Sequence, residues 1–266
     1  MRIQHNIEAL NAHRQLAGTN GKLSKAMERL SSGYRINRAA DDAAGLAISE
    51  KLRAQIKGIA QAERNAQDAI SLVQTAEGAL TEVHSMMQRV RELAVQYKNG
   101  SLSTADRTAI QSEVNQLQNE IERIGNSVVF NGIDLLNSAS TVTFQVGAED
   151  GETLGIATIS LGASIPASAF ELTVTGSDIA EIDAALNAVS AARAGFGAVQ
   201  NRLEHTLNNL AVYQENITAS ESRVRDVDMA AEMVELTKLQ ILQQAGTSML
   251  AQANQTPQSV LSLLRG

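Results

Sequence analysis

Hydrophobic positions recur at three- and four-residue steps over most of the chain. From residue 46 onward the stripe runs through Leu52, Ile56, Ile59, Ala66, Ile70, Val73, Leu80, Val83, Met87, Val90 and Leu93, with Lys, Arg, Glu and Gln between them. This spacing puts the apolar side chains on one face and predicts a single long helix with a heptad-like seam. Asp41 and Asp42 are cap candidates at its start. Asn99-Gly100 is expected to end it in a left-handed stop, at a length of about 80 Å from a rise of roughly 1.5 Å per residue. Ser103-Thr104-Ala105-Asp106 then reads as a capping box opening a second helix. Its stripe is Ile110, Val114, Leu117, Ile121 and Ile124, and Gly125 is expected to stop it. A turn this short makes the two helices antiparallel neighbours.

The character changes at Val128-Val129-Phe130-Asn131-Gly132-Ile133. Over 141–175, alternation such as Val142/Phe144/Val146 and Leu172/Val174 predicts a small β region with Gly-rich turns. Helical spacing returns at Ile179 and continues through Ile182, Leu186, Val189, Phe196, Val199, Leu203, Leu207, Leu210, Ile217, Val224 and Val227. Residues 1–30 and 229–264 also carry helical spacing, and Pro257 is expected to kink or interrupt the last helix because it lacks an N–H. The fold class is therefore mainly α with a small β region, an elongated antiparallel helical bundle or coiled coil formed by the N- and C-terminal halves plus a β-hairpin section. Because an amphipathic helix gains most of its stability by burying its apolar face, the terminal helices should be poorly folded alone and ordered by self-association.

Composition narrows the function. Across 266 residues Lys+Arg number 22 against Asp+Glu 29, so the formal charge of −7 argues against nucleic acid or anionic lipid as a partner. Aromatic content is 3 % with no Trp and two Pro, which suits long helices and not an aromatic-rich β-sandwich. With no Cys, disulfide scaffolds, thiolate metal sites and cysteine nucleophiles are excluded. The first residues hold no apolar run of signal-peptide length, so classical secretion is not encoded there. Residues 239–264 carry no charge, but Gln240, Gln243, Gln244, Gln252, Asn254, Gln255 and Gln258 lie within them and argue against membrane insertion.

Catalytic signals are missing. His5, His13, His84 and His205 are scattered, no HExxH or GxSxG occurs, and no metal or cofactor is expected. Gly18-Thr19-Asn20-Gly21-Lys22 is too short for a phosphate loop and lacks a preceding strand. Gly195-Phe196-Gly197 lies within a helical seam and is expected to relieve crowding where helices approach closely. Glu120 and Glu122 point to different helix faces, which suits solvation better than acid–base work.

Five blocks carry a family resemblance. Leu30-Ser31-Ser32-Gly33-Tyr34-Arg35-Ile36-Asn37-Arg38-Ala39-Ala40-Asp41-Asp42-Ala43-Ala44-Gly45-Leu46-Ala47-Ile48 closely resembles the N-terminal signature of bacterial flagellin. Gln74-Thr75-Ala76-Glu77-Gly78-Ala79-Leu80, Gln88-Arg89-Val90-Arg91-Glu92-Leu93-Ala94-Val95-Gln96 and Phe130-Asn131-Gly132 agree with it. So does the tail from Ile241-Leu242-Gln243-Gln244-Ala245-Gly246 through Asn254-Gln255, followed by Pro257. The likeness spans nearly the whole chain except about 138–178.

The resemblance implies a subunit of the flagellar filament, extracellular, exported unfolded without a cleaved signal peptide and folded on assembly. It implies an inner terminal coiled-coil domain over 1–54 and 222–266, an outer helical domain over 55–221 with its β region about 128–178, and none of the large variable outer domains found in many relatives. Its implied partners are other copies of the chain, the flagellar export apparatus, a secretion chaperone binding the C-terminal region, the filament cap, the hook-associated proteins and a host Toll-like receptor. Within that frame Ile3, Ile7, Leu10, Leu242, Met249 and Val260 are candidates for an inner seam between subunits, the alternative being a purely intrachain coiled coil. Ile56, Ile70, Val73, Leu203 and Leu210 are candidates for outer-domain core. Arg89, Leu93 and Glu113 match the receptor patch of the family. Two other functions compete: a hook–filament junction protein, which usually agrees less well in the central blocks, and a secreted coiled-coil adhesin, which would more often show anchors or repeats.

Overall fold

The computed structural model describes residues 6–176 and 178–265, with side chains described as far as residue 255. Six α-helices and two small antiparallel hairpins follow in the order α1 (Ile7–Ser32), α2 (Ala43–Tyr97), α3 (Thr104–Ser127), β1 (Val129–Phe130), β2 (Ile133–Asp134), β3 (Thr141–Gln145), β4 (Thr153–Ala157), α4 (Leu161–Ser164), a 3₁₀ turn (Ala167–Phe170), α5 (Asp178–Arg225) and α6 (Met229–Arg265), all among the described residues. The chain divides into two compact units. One comprises Met1–Ala54 with Asn216–Gly266, the other Gln55–Glu215, and both divisions fall inside continuous helices, α2 and α5.

Local chemistry sets most helix ends. Asp42 caps α2, its Oδ1 accepting the Gly45 N–H at 2.9 Å. Ser103 and Asp106 form the complete capping box of α3. α2 ends at Tyr97, but Gly100 is not left-handed as expected. The chain turns instead through Asn99, whose N–H reaches Gln96 O at 3.0 Å and whose carbonyl accepts the Leu102 N–H, so the next cap follows without a positive-φ residue. Gly125 does not stop α3 either. It lies inside the helix beneath Leu161, and the helix ends two residues later where Val128 turns extended. Helix α6 runs through Pro257 without interruption.

In the larger unit, α3 and α5 each pack antiparallel to α2. Arg89 meets Glu113 and Tyr97 lies beside Arg107 on the α3 side, while Arg91 meets Asp183 and Glu77 meets Arg193 on the α5 side. The buried face of α2 is a heptad of Ile59, Ala62, Ala66, Ala69, Val73, Ala76, Leu80, Val83, Met87, Val90 and Ala94. Alanines fill four of the first six positions of that row, so helices can approach closely there, and larger side chains take over from Leu80 onward. From α5, Ile182, Ala185, Val189, Phe196 and Leu203 meet it. Gly195 and Gly197 do not mark a close approach: a Cβ at either would meet nothing within 4 Å, because Phe196 between them is the residue turned into the core.

The β region is smaller than the alternation suggests. β1 and β2 are joined by Asn131-Gly132, both with positive φ (47° and 80°), the backbone that a tight type I′ hairpin needs and that glycine adopts without cost. β3 pairs with β4 so that Val142 faces Ile156 and Phe144 faces Leu154, placing Leu154 and Ile156 in the core. Leu172 and Val174 form no strand. The Gln111 amide substitutes for one, donating to Phe170 O at 2.7 Å and accepting the Leu172 N–H at 3.1 Å. Residues 161–164 and 167–170 form two short helical turns separated by extended Ile165 and Pro166, and Leu161, Ile165 and Phe170 all reach the core.

Candidate assembly surface of the terminal helices

In the smaller unit α1 and α6 lie antiparallel. Asn6 donates to Ala253 O at 2.7 Å, Leu16 packs on Gly246, and Arg29 pairs with Glu232 at 3.7 Å. At Gly246 a Cβ would sit 3.2 Å from Leu16 Cδ1, close enough that the tip of Leu16 would have to shift slightly. The seam between them is thin. On α1 its shielded positions are Ala9, Ala12, Leu16, Thr19, Leu23, Ala26 and Leu30, and on α6 they are Leu236, Leu239, Gln243, Gly246, Leu250 and Ala253. Only Ala26 on α1 and Leu239 on α6 are fully buried among the described side chains. A helix pair that buries so little apolar surface is marginal by itself.

Both helices carry further apolar side chains outside that seam. Ile7 is 58 % exposed and Leu10 is exposed beside it on α1. On α6, Val234, Ile241 and Leu242 are exposed and Met249 is 65 % exposed. The candidate residues Ile7, Leu10, Leu242 and Met249 therefore lie off the intrachain seam and face outward, while Ile3 and the Val260 side chain lie outside the described residues. The α6 stripe anticipated from spacing is offset by one residue from the row that α1 covers: 242 and 249 against 243 and 250. Val234 and Ile241, seven residues apart, extend the open stripe and escaped the sequence reading. Their signal was a second heptad row on a helix already assigned one.

The connecting segments of the same unit form a knot. Gly33 ends α1 in the left-handed conformation, its N–H on Arg29 O at 2.9 Å. Next to it Tyr34 bridges antiparallel to Asp226, with Arg35 N–H on Arg225 O at 2.7 Å and Val227 N–H on Gly33 O at 3.0 Å. The Arg35 guanidinium donates to Val224 O at 2.6 Å, so the last carbonyls of α5 are capped from a segment about 190 residues away. Arg225 stacks on Tyr34, 4.7 Å from the ring centroid, and donates to Glu50 at 2.9 Å and Ser49 at 3.4 Å. Ser49 in turn donates to Glu221 at 3.1 Å. These residues escaped the sequence reading as site members, although Tyr34 and Arg35 stand in the quoted signature, because their partners are distant in the chain.

The hydrogen bond from Arg225, reinforced by Arg53, holds the Glu50 carboxyl below its ordinary range. A depressed carboxylate stabilises the fold fully above its ordinary pKa and loses that contribution as pH falls through the lowered folded value. Glu50→Gln is therefore expected to cost stability at neutral pH. The gap to wild type should narrow only below the ordinary carboxylate range, as read from urea unfolding at a series of pH values. A constant gap down to strong acid would contradict the assignment.

In the larger unit Val73, Leu203 and Leu210 are buried, and Ile56 and Ile70 are half-buried. The Arg89 guanidinium is gripped by Glu113, with nitrogens at 2.9 and 3.0 Å, and by Glu92 at 3.1 Å, which holds it firmly protonated. Arg89 and Glu113 are both about half exposed. Leu93, expected in the same patch, is 2 % exposed and packs in the core, because the heptad that buries Val90 and Ala94 turns Leu93 inward as well. It offers no side chain to a partner of this fold.

The heptad bundle and the open apolar stripes of its terminal helices define a structural, helix-bundle protein. A family model described as the bacterial flagellin N-terminal helical region matches residues 3–141, and one described as the bacterial flagellin C-terminal helical region matches 179–264. The chain is 55 % identical to a flagellin of Halalkalibacterium halodurans and 50 % identical to a flagellin of Bacillus subtilis, with all of both chains covered in each case. It is 46 % identical to the flagellar filament 33 kDa core protein of Treponema phagedenis, again over both full lengths. The crystal structure of Bacillus cereus flagellin is similar with a TM-score of 0.51 at 30 % identity, covering 55 % of this chain and 88 % of that one. The chain belongs to the bacterial flagellin family, whose members are structural proteins of the flagellar filament.

Proposed function

We propose that this chain is exported unfolded and polymerises with copies of itself into the extracellular filament of a flagellum, α1 and α6 completing their burial against neighbouring subunits. The observation that carries this reading is the outward exposure of Ile7, Leu10, Val234, Ile241, Leu242 and Met249 on two helices whose mutual seam buries little. Exposed apolar side chains recurring along two helices in this way mark an interaction site, and identical chains bearing one form open helical arrays when the contact does not close a ring. The inner seam between subunits comprises Ile7, Leu10, Leu242 and Met249 and, seven residues before Leu10, Ile3; the sequence adds Val260 as an apolar residue of α6. In this reading the export apparatus, a chaperone for the C-terminal region, the filament cap and the hook-associated proteins meet the chain before or during assembly. Electron microscopy of the purified chain, with and without residues 1–30 and 239–266, tests it alongside circular dichroism. Full-length chains are expected to form uniform filaments and gain helix as they do, and the truncated chain to stay monomeric. A full-length chain that stays monomeric in the presence of filament seeds sinks the reading.

The exposed Arg89–Glu113 pair supports recognition by the Toll-like receptor for flagellin, with Leu93 excluded from the contact by its burial. Arg89→Ala is expected to lower receptor signalling by the monomer while leaving its helix content intact. Unchanged signalling removes Arg89 from the contact.

A further inference from the structure

Three Asn-Gly pairs occur in the chain, Asn20-Gly21, Asn99-Gly100 and Asn131-Gly132, and the fold places each in a different backbone environment. Asn-Gly is the dipeptide in which a backbone nitrogen most readily attacks the preceding side-chain amide, because glycine offers no Cβ to obstruct the approach. Asn20-Gly21 lies inside α1, where the Gly21 N–H is held in the helical ladder and the backbone cannot swing toward the side chain. Asn131-Gly132 forms the two-residue turn between β1 and β2, pinned on both sides by the pairing of Phe130 with Ile133.

Asn99-Gly100 is different. It lies in the irregular turn between α2 and α3, exposed, with the Gly100 N–H bonded to no described residue. The Asn99 Oδ1 accepts the Ser101 N–H at 3.3 Å. A donor on that oxygen draws electrons from Cγ and stabilises the negative charge that develops on Oδ1 when a nucleophile adds, as an oxyanion hole does. The attacking nitrogen is thus free while the carbonyl it attacks is polarised. No donor to the Asn131 side chain occurs among the described residues.

We infer that Asn99 is a site of spontaneous covalent modification in the folded chain, by ring closure to a succinimide and hydrolysis to an aspartyl or isoaspartyl residue. The Gly100 nitrogen loses its proton to hydroxide and bonds to Asn99 Cγ. The Cγ–Nδ2 bond then breaks, and the nitrogen leaves as ammonia after taking up a proton. Water adds to either ring carbonyl and opens the ring, so nothing is oxidised or reduced. Opening at one carbonyl restores the original backbone path; opening at the other lengthens the α2–α3 turn by a methylene. Either product gains one negative charge beside Lys98 and beside Arg107, which already donates to Asn99 O at 3.3 Å.

The test incubates the native full-length chain and the same chain unfolded in urea side by side at mildly alkaline pH. Peptide mass spectrometry then follows the Asn-to-Asp mass gain at all three sites. The readout is the native-to-unfolded rate ratio at each site, which cancels the effect of local sequence. This ratio is expected to be several-fold higher at Asn99 than at Asn131 and lowest at Asn20. Ser101→Pro, which removes the N–H on Asn99 Oδ1, is expected to slow conversion at Asn99 and leave Asn131 unchanged, and Asn99→Gln abolishes it there. Equal ratios at Asn99 and Asn131 overturn the proposal on wild-type protein alone. A folded Ser101→Pro chain that converts at the wild-type rate overturns it too.

Discussion

Filament growth is expected to stop when Leu242 and Met249 are both replaced by Glu, while the isolated chain keeps its wild-type circular dichroism and unfolding transition. Both side chains are exposed in the chain by itself, 47 % and 65 %, so nothing within the fold depends on their apolar character. In an assembly that covers them, each is worth about 1.5–3 kcal/mol of burial, and each carboxylate in its place adds a desolvation penalty of at least similar size. With every 1.4 kcal/mol equal to about a tenfold change in an equilibrium constant, the critical concentration should rise at least about a hundredfold. Sedimentation and electron microscopy across a concentration series measure it. Filaments forming at the wild-type critical concentration would remove these two residues from the interface. Leu239→Ala is the contrasting variant. Leu239 is buried in the intrachain seam, so that substitution should loosen α1 and α6 in the monomer before any assembly step.

Leu203→Ala is expected to destabilise the larger unit by about 2–5 kcal/mol, the range for a buried leucine whose cavity the surrounding core cannot collapse to fill. Leu203 is fully buried on α5, within the core cluster that includes Val73, Leu80 and Val83 of α2. Ile56→Ala should cost clearly less, since Ile56 is half-buried and lies outside that core cluster. Urea unfolding followed by circular dichroism distinguishes the two. Equal losses at both positions would contradict the packing hierarchy described above.

Much of the fold was legible because its signals are local. The heptad rows, the Asp42 cap and the Ser103 capping box each depend on residues within one or two turns of one another. The misreadings share a physical origin in competition from elsewhere in the chain. Gly125 continues α3 with Leu161 packed over it at ordinary contact distance, and Leu172 satisfies its backbone on the Gln111 side chain and forms no strand. Leu93 stands both in the apolar stripe and, by resemblance, in the receptor patch, and its place between two heptad positions that turn inward puts it in the core.

The candidate surface was half legible. Periodicity marked α6 as amphipathic and named Leu242 and Met249, but a one-residue offset separates the row that α1 covers from the row left open. An apolar stripe on a helix broader than one seam does not say which edge a given neighbour will take. That choice is made by α1, whose Leu16 packs on Gly246 and whose Asn6 and Arg29 reach Ala253 and Glu232.

By itself the amino-acid sequence determined the helical class, the antiparallel return of the chain, the absence of cysteine and the family resemblance, since all of these rest on residue type, spacing and order. Only the tertiary structure decided that Arg35 caps the end of α5, that Arg225 lies between Tyr34 and Glu50, and that Val234 and Ile241 remain open. The reason is physical. Caps and periodicity act over a few residues along the chain, whereas burial is settled by whichever distant segment arrives first at a face that several could cover.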